Sequence, residues 1–470
     1  MPPTTHTQSR VIAPVYHNVI EMIGNTPMIE LTNLDTGPCR LFAKAEFMNP
    51  GNSIKDRIAV TMIEQAEQEG KISPGGRIIE ATAGNTGIAL ALVASQKGYD
   101  VSVVMPDKMS SEKISHLRAM GAEVVLTRSD VGKGHPEYYH EVAARIARET
   151  PNSLFVNQFG NPANIKAHYE GTGPEIWDQM DGKVDAFVAG VGSGGTITGV
   201  GRFLKEQDPN VQVILADPAG SVLSERVNEG REVEPGEWLV EGVGEDFVPD
   251  IFDLDVVDYA YSIPDKDAFH TARDILKKEG LLVGSSSGTL ITAALQYCQA
   301  QTEPKTVVSL LCDSGAKYLT KMFNDFWMID QGFLDRPVYG DLRDLIARRH
   351  TDREDYYLVP HTPLSQAIKN MRMYDVSQMV VVDDNDRVVG ILDESDVLLA
   401  LVREYADIHQ SVTEFMTQKL ETISPNASID ALLPIFRADH VAIVADNERF
   451  YGLITKIDLI NYLRNQLPRA

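Results

Sequence analysis

The stretch RIIEATAGNTGIALALVAS at residues 77–95, followed by VSVVM at residues 101–105, decides the fold class. A short apolar run leads through a glycine-containing loop into an apolar helical pattern, and the second run ends at Pro106. Outward from this stretch, strand-like runs alternate with helical patterns from about Thr26 to Phe333. This alternation predicts an α/β fold with a mainly parallel sheet.

The composition is typical of a globular protein. The chain has 470 residues, of which 43% are hydrophobic and 23% charged, enough for about three domains. Its formal net charge of −24 opposes binding to nucleic acid or to an anionic membrane. Cys39, Cys298 and Cys312 form no CxxC pair and predict neither a disulfide framework nor a zinc site. The first 25 residues show no basic start followed by an apolar run, so we expect a cytoplasmic protein.

The sequence changes character near residue 336. Residues 336–352 are rich in charge and contain a proline, so we predict a linker between a catalytic domain at 1–335 and a C-terminal domain at 353–470. In the C-terminal domain, residues 380–396 recur as residues 442–458, each copy with a strand, an Asp-Asn turn, a strand and a helix. This pattern predicts two repeats, at about 353–404 and 412–466, that pack against each other.

A glycine-rich loop at residues 190–196 follows the apolar run 186–188 and opens a helical pattern, a geometry that binds anions. Gly190, Gly192 and Gly195 match the spacing G-x-G-x-x-G, and Asp217 closes the next apolar run. This loop leaves three interpretations open, namely a dinucleotide site, another phosphate site and a structural turn.

Three further loops narrow the choice of ligand for this glycine-rich loop. Residues 82–87 offer hydroxyl and amide groups that suit a carboxylate, although a helix cap is the alternative. Lys55 is expected in the first turn of a helix, where the dipole and partial burial favour a neutral, reactive amine, although an ordinary surface lysine is the alternative. A reactive lysine with a phosphate cradle and a carboxylate cradle describes pyridoxal phosphate in Schiff base with an amino acid. The loop 283–288 is by itself an ordinary helix-start turn, but in this setting it predicts a neutral hydroxyl against the pyridine nitrogen, which favours loss of a β-substituent.

These motifs resemble those of the fold-type II pyridoxal-phosphate enzymes, the tryptophan synthase β-like family that includes O-acetylserine sulfhydrylase. The run 109–113 is more similar to family members that form cystathionine than to those that form cysteine. The resemblance implies a two-lobed α/β catalytic domain. The segments that carry the resemblance are residues 23–27, 47–58, 82–87, 105–113, 157–159, 192–199 and 241–244.

The resemblance also implies a role for individual residues. Lys55 would be the Schiff-base lysine and proton shuttle, Asn85 would bond the 3-hydroxyl oxygen of the cofactor, and Ser286 its pyridine nitrogen. In the implied reaction, L-serine loses its β-hydroxyl and L-homocysteine adds in its place to give L-cystathionine. The cofactor phosphate would lie on Gly192, Ser193, Gly194, Gly195 and Thr196, and the substrate carboxylate on Thr82, Ala83, Gly84, Asn85 and Thr86 with Gln158 nearby.

Two positions depart from the family pattern. Ala83 stands where members usually have Ser, and Glu245, which follows Gly244, stands where well-known members have Tyr. Glu245 keeps open a cysteine or cystathionine synthase that uses O-acetylserine, with sulfide or homocysteine as the thiol. The haem-binding arm of animal members is not visible, so we predict neither haem nor a metal. Remoter alternatives are a dinucleotide-dependent oxidoreductase and a catalytically silent adenosyl sensor.

Residues 452–458 resemble the nucleotide corner of CBS-domain pairs, also called Bateman-type modules. The resemblance implies that Thr455 and Asp458 hold ribose or phosphate oxygens of S-adenosylmethionine or an adenine nucleotide. The first copy has Asp393 in place of the hydroxyl residue and would repel a phosphate, so we predict one regulatory site. The family further implies a homodimer or a larger homo-oligomer, and assembly without ligand binding is the alternative for this pair.

Overall fold

The computed structural model describes residues 15–82, 84–107, 111–131, 134–402, 407–447 and 449–466. They form two compact units, which divide between Phe323 and Asn324. This division precedes the predicted domain end at residue 335. Among the described residues, no helix has the length and apolar character needed to cross a membrane.

The first unit contains two sheets, so the predicted α/β class is confirmed. One sheet has the order β5-β4-β3-β6 and is parallel throughout. The other has the order β1-β2-β10-β7-β8-β9, in which β1 is antiparallel to β2 and the remaining pairs are parallel. The strands are β1 (Met28–Glu30), β2 (Arg40–Lys44), β3 (Arg77–Ala81), β4 (Asp100–Pro106), β5 (Glu123–Thr127), β6 (Ser153–Phe155), β7 (Ala186–Ala189), β8 (Gln212–Pro218), β9 (Tyr259–Ile263) and β10 (Thr306–Leu310).

Helices connect the parallel strands, as crossover connections require. The helix after β3 begins at Asn85, three residues before the apolar run that predicted it, and ends before Gly98, which has a φ of +73°. It is buried along most of its length because its residues are apolar or small on every face. The helices are α1 (Lys55–Gln68), α2 (Asn85–Lys97), α3 (Ser111–Ala119), α4 (Tyr139–Glu149), α5 (Pro162–Ala167), α6 (Gly173–Gln179), α7 (Gly195–Gln207), α8 (Leu223–Glu229), α9 (Asp265–Asp274) and α10 (Ser285–Gln299).

The second unit builds the same three-stranded sheet twice, in the orders β11-β12-β13 and β14-β15-β16. Each sheet has one parallel and one antiparallel pair. Val380 and Val382 of the first repeat pack with Ile443 and Phe450 of the second in one buried cluster. The elements are α11 (Asp325–Asp330), β11 (Tyr357–Leu358), α12 (Leu364–Tyr374), β12 (Gln378–Val382), β13 (Val388–Asp393), α13 (Glu394–Val402), β14 (Thr422–Ile423), α14 (Leu432–Arg437), β15 (Ala442–Ala445), β16 (Phe450–Ile454) and α15 (Lys456–Gln466).

The segment 336–352, which the sequence predicts to be a linker, packs against the second repeat in the structure. Leu342, Leu345 and Ile346 are buried in a core with residues of that repeat. Leu342 and Leu345 lie one turn apart in a short 3₁₀ helix, and Ile346 follows it in extended conformation, so this charged segment still supplies three apolar side chains to the core.

Candidate active site

Most of the residues predicted to bind cofactor or substrate line a cavity of about 730 Å³, which lies at the carboxyl ends of β3 and β7, one strand from each sheet. A smaller cavity of about 50 Å³ shares Lys55, Asn85, Gly192 and Ser193 with it. Ala83 lies outside the described residues, and Gly195 is the first residue of α7. The other predicted residues of the larger cavity are Thr82, Gly84, Thr86, Gln158, Gly244 and Glu245, and those of the smaller one are Gly194, Thr196 and Ser286.

Lys55 is the first residue of α1, as the sequence predicts. Its backbone N–H donates to Oγ of Ser53 at 3.3 Å. Burial lowers the pKa of the Lys55 amine, although the nearby acidic groups of Cys312, Asp313 and Glu245 oppose the shift. The structure therefore presents an amine that loses its proton more easily than an ordinary lysine.

The loop before α7 forms a narrow cradle. Gly194 has a φ of +90°, which favours glycine, and a Cβ on Gly192 would lie 2.8 Å from the carbonyl oxygen of Gly242. Nδ2 of Asn164 donates to Oγ of Ser193 at 2.8 Å, and Nε2 of His168 lies 3.1 Å from Oγ1 of Thr196. The first N–H groups of α7 have no partner within the helix, so the cradle suits a phosphate.

The amino end of α2 forms a second polar wall. Oγ1 of Thr82 accepts the N–H of Gly84 at 3.2 Å, and Oγ1 of Thr86 donates to Oε1 of Gln158 at 2.8 Å. Because Oε1 of Gln158 is engaged in this way, its Nε2 donors are the polar atoms left for a ligand. The helix dipole and these donors suit a carboxylate.

Ser286 lies in the first turn of α10 and is almost fully buried. It lines the smaller cavity together with Cys312, and burial raises the pKa of the Cys312 thiol to about 12. A serine hydroxyl carries no charge, so Ser286 offers a neutral group to the smaller cavity, where the sequence predicts a partner for the pyridine nitrogen.

Glu245 reaches the larger cavity at the end of a segment with two left-handed glycines. Gly242 and Gly244 both have a φ of +88°, and a Cβ on Gly244 would lie 2.4 Å from Cγ of Pro218. Burial and the charge of Asp246 raise the pKa of Glu245 to about 8, although Lys55 acts in the opposite direction. A carboxyl group that is protonated near neutral pH thus lies in the same cavity as a lysine with a lowered pKa.

The sequence does not predict several of the residues in and beside the cavity. Lys113, His116 and Lys317 lie on its wall, and Asp313 accepts a hydrogen bond from Asn85 at 2.8 Å. No local pattern marks Lys317, which is brought to Asn85 across 232 positions of the chain. Lys113 alone stood inside a segment that carried the family resemblance.

Asp217 argues against the dinucleotide interpretation. Its side chain is fully buried, and its Oδ2 accepts the backbone N–H of Ser224 at 2.8 Å. An aspartate that binds ribose hydroxyls must face the ligand, so this carboxylate has a structural position instead. Among the described residues, no three His, Cys, Asp or Glu side chains group as metal ligands.

In the second unit, Thr455 and Asp458 contact each other at the start of α15. Oδ2 of Asp458 accepts the N–H and the hydroxyl of Thr455 at 2.7 and 2.6 Å. In the first repeat, Asp393 and Asp396 exchange the corresponding backbone bonds at 3.2 and 2.9 Å. Both corners are thus helix caps, and they differ in the hydroxyl of Thr455.

The glycine cradle, the buried lysine and the neutral hydroxyl together fit pyridoxal phosphate, and the comparisons with known proteins agree. The family described as "Pyridoxal-phosphate dependent enzyme" matches residues 19–313, and that described as "CBS domain" matches residues 344–403 and 412–465.

Two relatives align with nearly the whole chain, and a solved structure aligns with about two thirds of it. A cystathionine beta-synthase from Apis mellifera is 34% identical over 98% of this chain and 94% of its own. One from Dictyostelium discoideum is 36% identical over 96% of this chain and 92% of its own. The crystal structure of a hydrogen sulfide-producing enzyme from Fusobacterium nucleatum is 38% identical, with a TM-score of 0.60 over 65% of this chain and 99% of its own. The chain therefore belongs to the cystathionine β-synthase family of pyridoxal-phosphate-dependent enzymes.

Proposed function

We propose that the protein replaces the β-hydroxyl of L-serine with the thiol of L-homocysteine to form L-cystathionine. The observation that carries this proposal is the meeting of Lys55, the α7 cradle and the amino end of α2 at one cavity. Bound to Lys55, the cofactor would supply an electron sink that stabilises negative charge on the carbon next to the amino group.

Lys55 would act first as the attachment point and then as the base. Its lowered pKa leaves the amine free to take the proton from the α-carbon and to return it after the thiol has added. Gly192, Ser193, Gly194, Gly195 and Thr196 would bind the phosphate through backbone and hydroxyl donors. Asn85 and Ser286 would orient the ring from two sides.

The amino end of α2 would bind the substrate carboxylate. Thr82, Gly84 and Thr86 lie beside Gln158, whose orientation is set by the bond from Thr86. Ala83 belongs to the same loop in sequence. This arrangement would hold the α-carbon toward Lys55, which is what stereospecific proton transfer requires.

A second candidate reaction uses O-acetylserine, which Glu245 keeps open because it stands where well-known members of the family have Tyr. A carboxyl group in the cavity would meet the incoming thiol or the leaving group, and its pKa of about 8 allows it to exchange a proton near neutral pH. Acetate is a better leaving group than hydroxide and needs no proton, so the two donors make different demands on this residue.

The test incubates the holoenzyme with serine or O-acetylserine, each against homocysteine or sulfide, and identifies the products by mass. We expect cystathionine from serine and homocysteine to form fastest. Cysteine from O-acetylserine and sulfide forming much faster would overturn the assignment. Lys55→Ala serves as the control and should abolish every product while leaving the fold intact.

We further propose that the repeats at about 353–404 and 412–466 form a regulatory module in a homodimer or larger assembly. Asp458 and Thr455 would bind the ribose of S-adenosylmethionine or an adenine nucleotide, because the carboxylate can accept further bonds beside those from Thr455. Burial raises the pKa of Asp458, which a bound hydrogen-bond donor would counteract.

Calorimetry on the full chain with S-adenosylmethionine, ATP and AMP tests this site. Binding heat that Thr455→Val removes would support it, with Asp393→Asn as the matched change in the first repeat. No heat from any of the three ligands would leave assembly as the function of the module.

A further inference from the structure

Lys317 lies on the wall of the larger cavity, and the proposed reaction assigns it no role. It follows β10 and lies one residue before Tyr318. Its ammonium donates to Oδ1 of Asn85 at 2.5 Å and to the carbonyl oxygen of Asn52 at 3.4 Å. The ammonium is thus held between the loop that precedes Lys55 and the first residue of α2.

These contacts fix the orientation of the Asn85 amide. An ammonium has donors but no acceptor, so the atom of Asn85 that faces Lys317 must be the carbonyl oxygen. Nδ2 of Asn85 donates one hydrogen to Oδ2 of Asp313 at 2.8 Å, and Asp313 also accepts the hydroxyl of Tyr318 at 2.9 Å. The second hydrogen on Nδ2 remains, and Asn85 lines both cavities.

The charges around Lys317 have both signs. Asp313 and Asp56 favour its charged form, whereas burial, which has the largest effect, and Lys113 lower the pKa of Lys317. Burial lowers the pKa of the His116 imidazole, and the charge of Lys317 nearby lowers it further. A negatively charged ligand atom could accept the remaining hydrogen on Nδ2 of Asn85 and would be attracted by the charge of Lys317.

We propose that Lys317 is a positioning residue that turns the Nδ2 of Asn85 toward the 3-oxygen of the cofactor and stabilises negative charge on that oxygen. The inference rests on the proposed cofactor site. The ammonium at Oδ1 and Asp313 at Nδ2 together impose the orientation that this bond from Asn85 needs, and the positive charge of Lys317 adds an electrostatic contribution through the same amide.

The experiment measures the visible absorption of the full-length holoenzyme against pH, because the absorption band reports the ionisation of the bound cofactor. Lys317→Gln keeps a donor for Oδ1 of Asn85 but removes the charge, and Lys317→Met removes both. Lys321→Met is the matched control, since Lys321 lies four residues further on and pairs with Glu241. Equilibrium dialysis of pyridoxal phosphate gives the affinity of each variant.

We expect both Lys317 variants to shift the ionisation midpoint upward by about one pH unit or more, the scale of one nearby charge. Lys317→Met should also weaken cofactor binding about tenfold, and Lys317→Gln much less. The inference is overturned if both Lys317 variants show the same ionisation midpoint as the wild type and the Lys321→Met control. A wild-type protein with no visible band after incubation with cofactor would instead overturn the proposed function.

Discussion

The guanidinium of Arg57 binds the carboxylate of Glu46 through two parallel hydrogen bonds, Nε to Oε2 at 2.7 Å and Nη2 to Oε1 at 2.8 Å. Both side chains are buried, and Arg57 lies two residues after Lys55 on α1. Glu175 accepts two more bonds from the same guanidinium at 2.7 Å. Burial raises the pKa of Glu175, but the bonds from Arg57 and Lys44 outweigh it and bring that pKa to about 2. The cluster thus fixes the helix that presents Lys55.

Glu46→Gln should destabilise the protein by about 3 kcal/mol, because removing one partner leaves a buried charge with fewer bonds. Urea unfolding measures the loss. Glu30→Gln is the matched control, since Glu30 makes the same pair of bonds to Arg40 at 2.8 Å on the surface and should leave stability nearly unchanged. Equal losses in the two variants would contradict the anchoring function of Glu46.

Gly195→Ala should weaken cofactor binding at least tenfold and destabilise the protein by about 1–3 kcal/mol. A Cβ at this position would lie 2.0 Å from Oδ1 of Asn164, whose amide is held by Gln158 and Ser193. A cofactor titration followed by absorbance measures the effect.

Gly84→Ala is the matched change at the other loop. Its Cβ would meet no atom within 4 Å, and its φ of −128° suits any residue. Cofactor binding should stay as in the wild type, while the KM of the amino-acid donor rises because the methyl group enters the substrate cavity. Similar cofactor affinities for the two variants would show that the α7 cradle tolerates a side chain.

Glu80→Gln should flatten the dependence of stability on pH. Glu80 is fully buried in β3 and accepts the N–H of Ala81 at 3.2 Å, and burial raises its pKa to about 8. The folded protein therefore holds a proton that the unfolded chain releases near pH 4.5, so the contribution of Glu80 is present at low pH and is lost toward pH 8. In urea unfolding, the free energy of unfolding of the variant should rise relative to that of the wild type by about 3 kcal/mol between pH 5 and 8. Parallel curves would refute this.

His350→Gln should weaken the second unit more at low pH than at high pH. The imidazole is buried, with Nδ1 bonded to Asp355 at 3.0 Å and Nε2 3.5 Å from a carboxylate oxygen of Asp386, and the two carboxylates outweigh burial and raise its pKa. Its stabilising contribution is thus complete below about pH 6.5 and is lost as the pH rises through the folded pKa.

Hydrogen exchange of peptides from residues 342–358, compared between wild type and variant at matched pH, measures this difference. The gap in protection should be wide at about pH 5.5 and narrow at about pH 8.5. A gap that widens with pH would mean that the neutral imidazole is the stabilising form.

Much of the local structure follows from sequence patterns. The alternation of apolar runs and helical patterns predicts the α/β class, and the loop residues at 51–57 correctly place Lys55 in a first helical turn. The sequence predicts the start of α2 less well, because Asn85, Thr86 and Gly87 are residue types typical of loops. In the structure they are helical because Asn85 and Thr86 bond to Asp313 and Gln158 from distant segments.

The sequence by itself determined the fold class, the repeat in the second half and the loops that converge on the cavity, since each depends on short-range pattern and chain direction. Only the tertiary structure placed Lys317 against Asn85 and buried Asp217 against the backbone N–H of Ser224. It also brought Glu245 and Lys55 to one cavity with pKa values shifted toward each other. These relationships depend on burial and on contacts between residues far apart in the chain, and desolvation, which governs both pKa shifts, has no signature in a linear sequence.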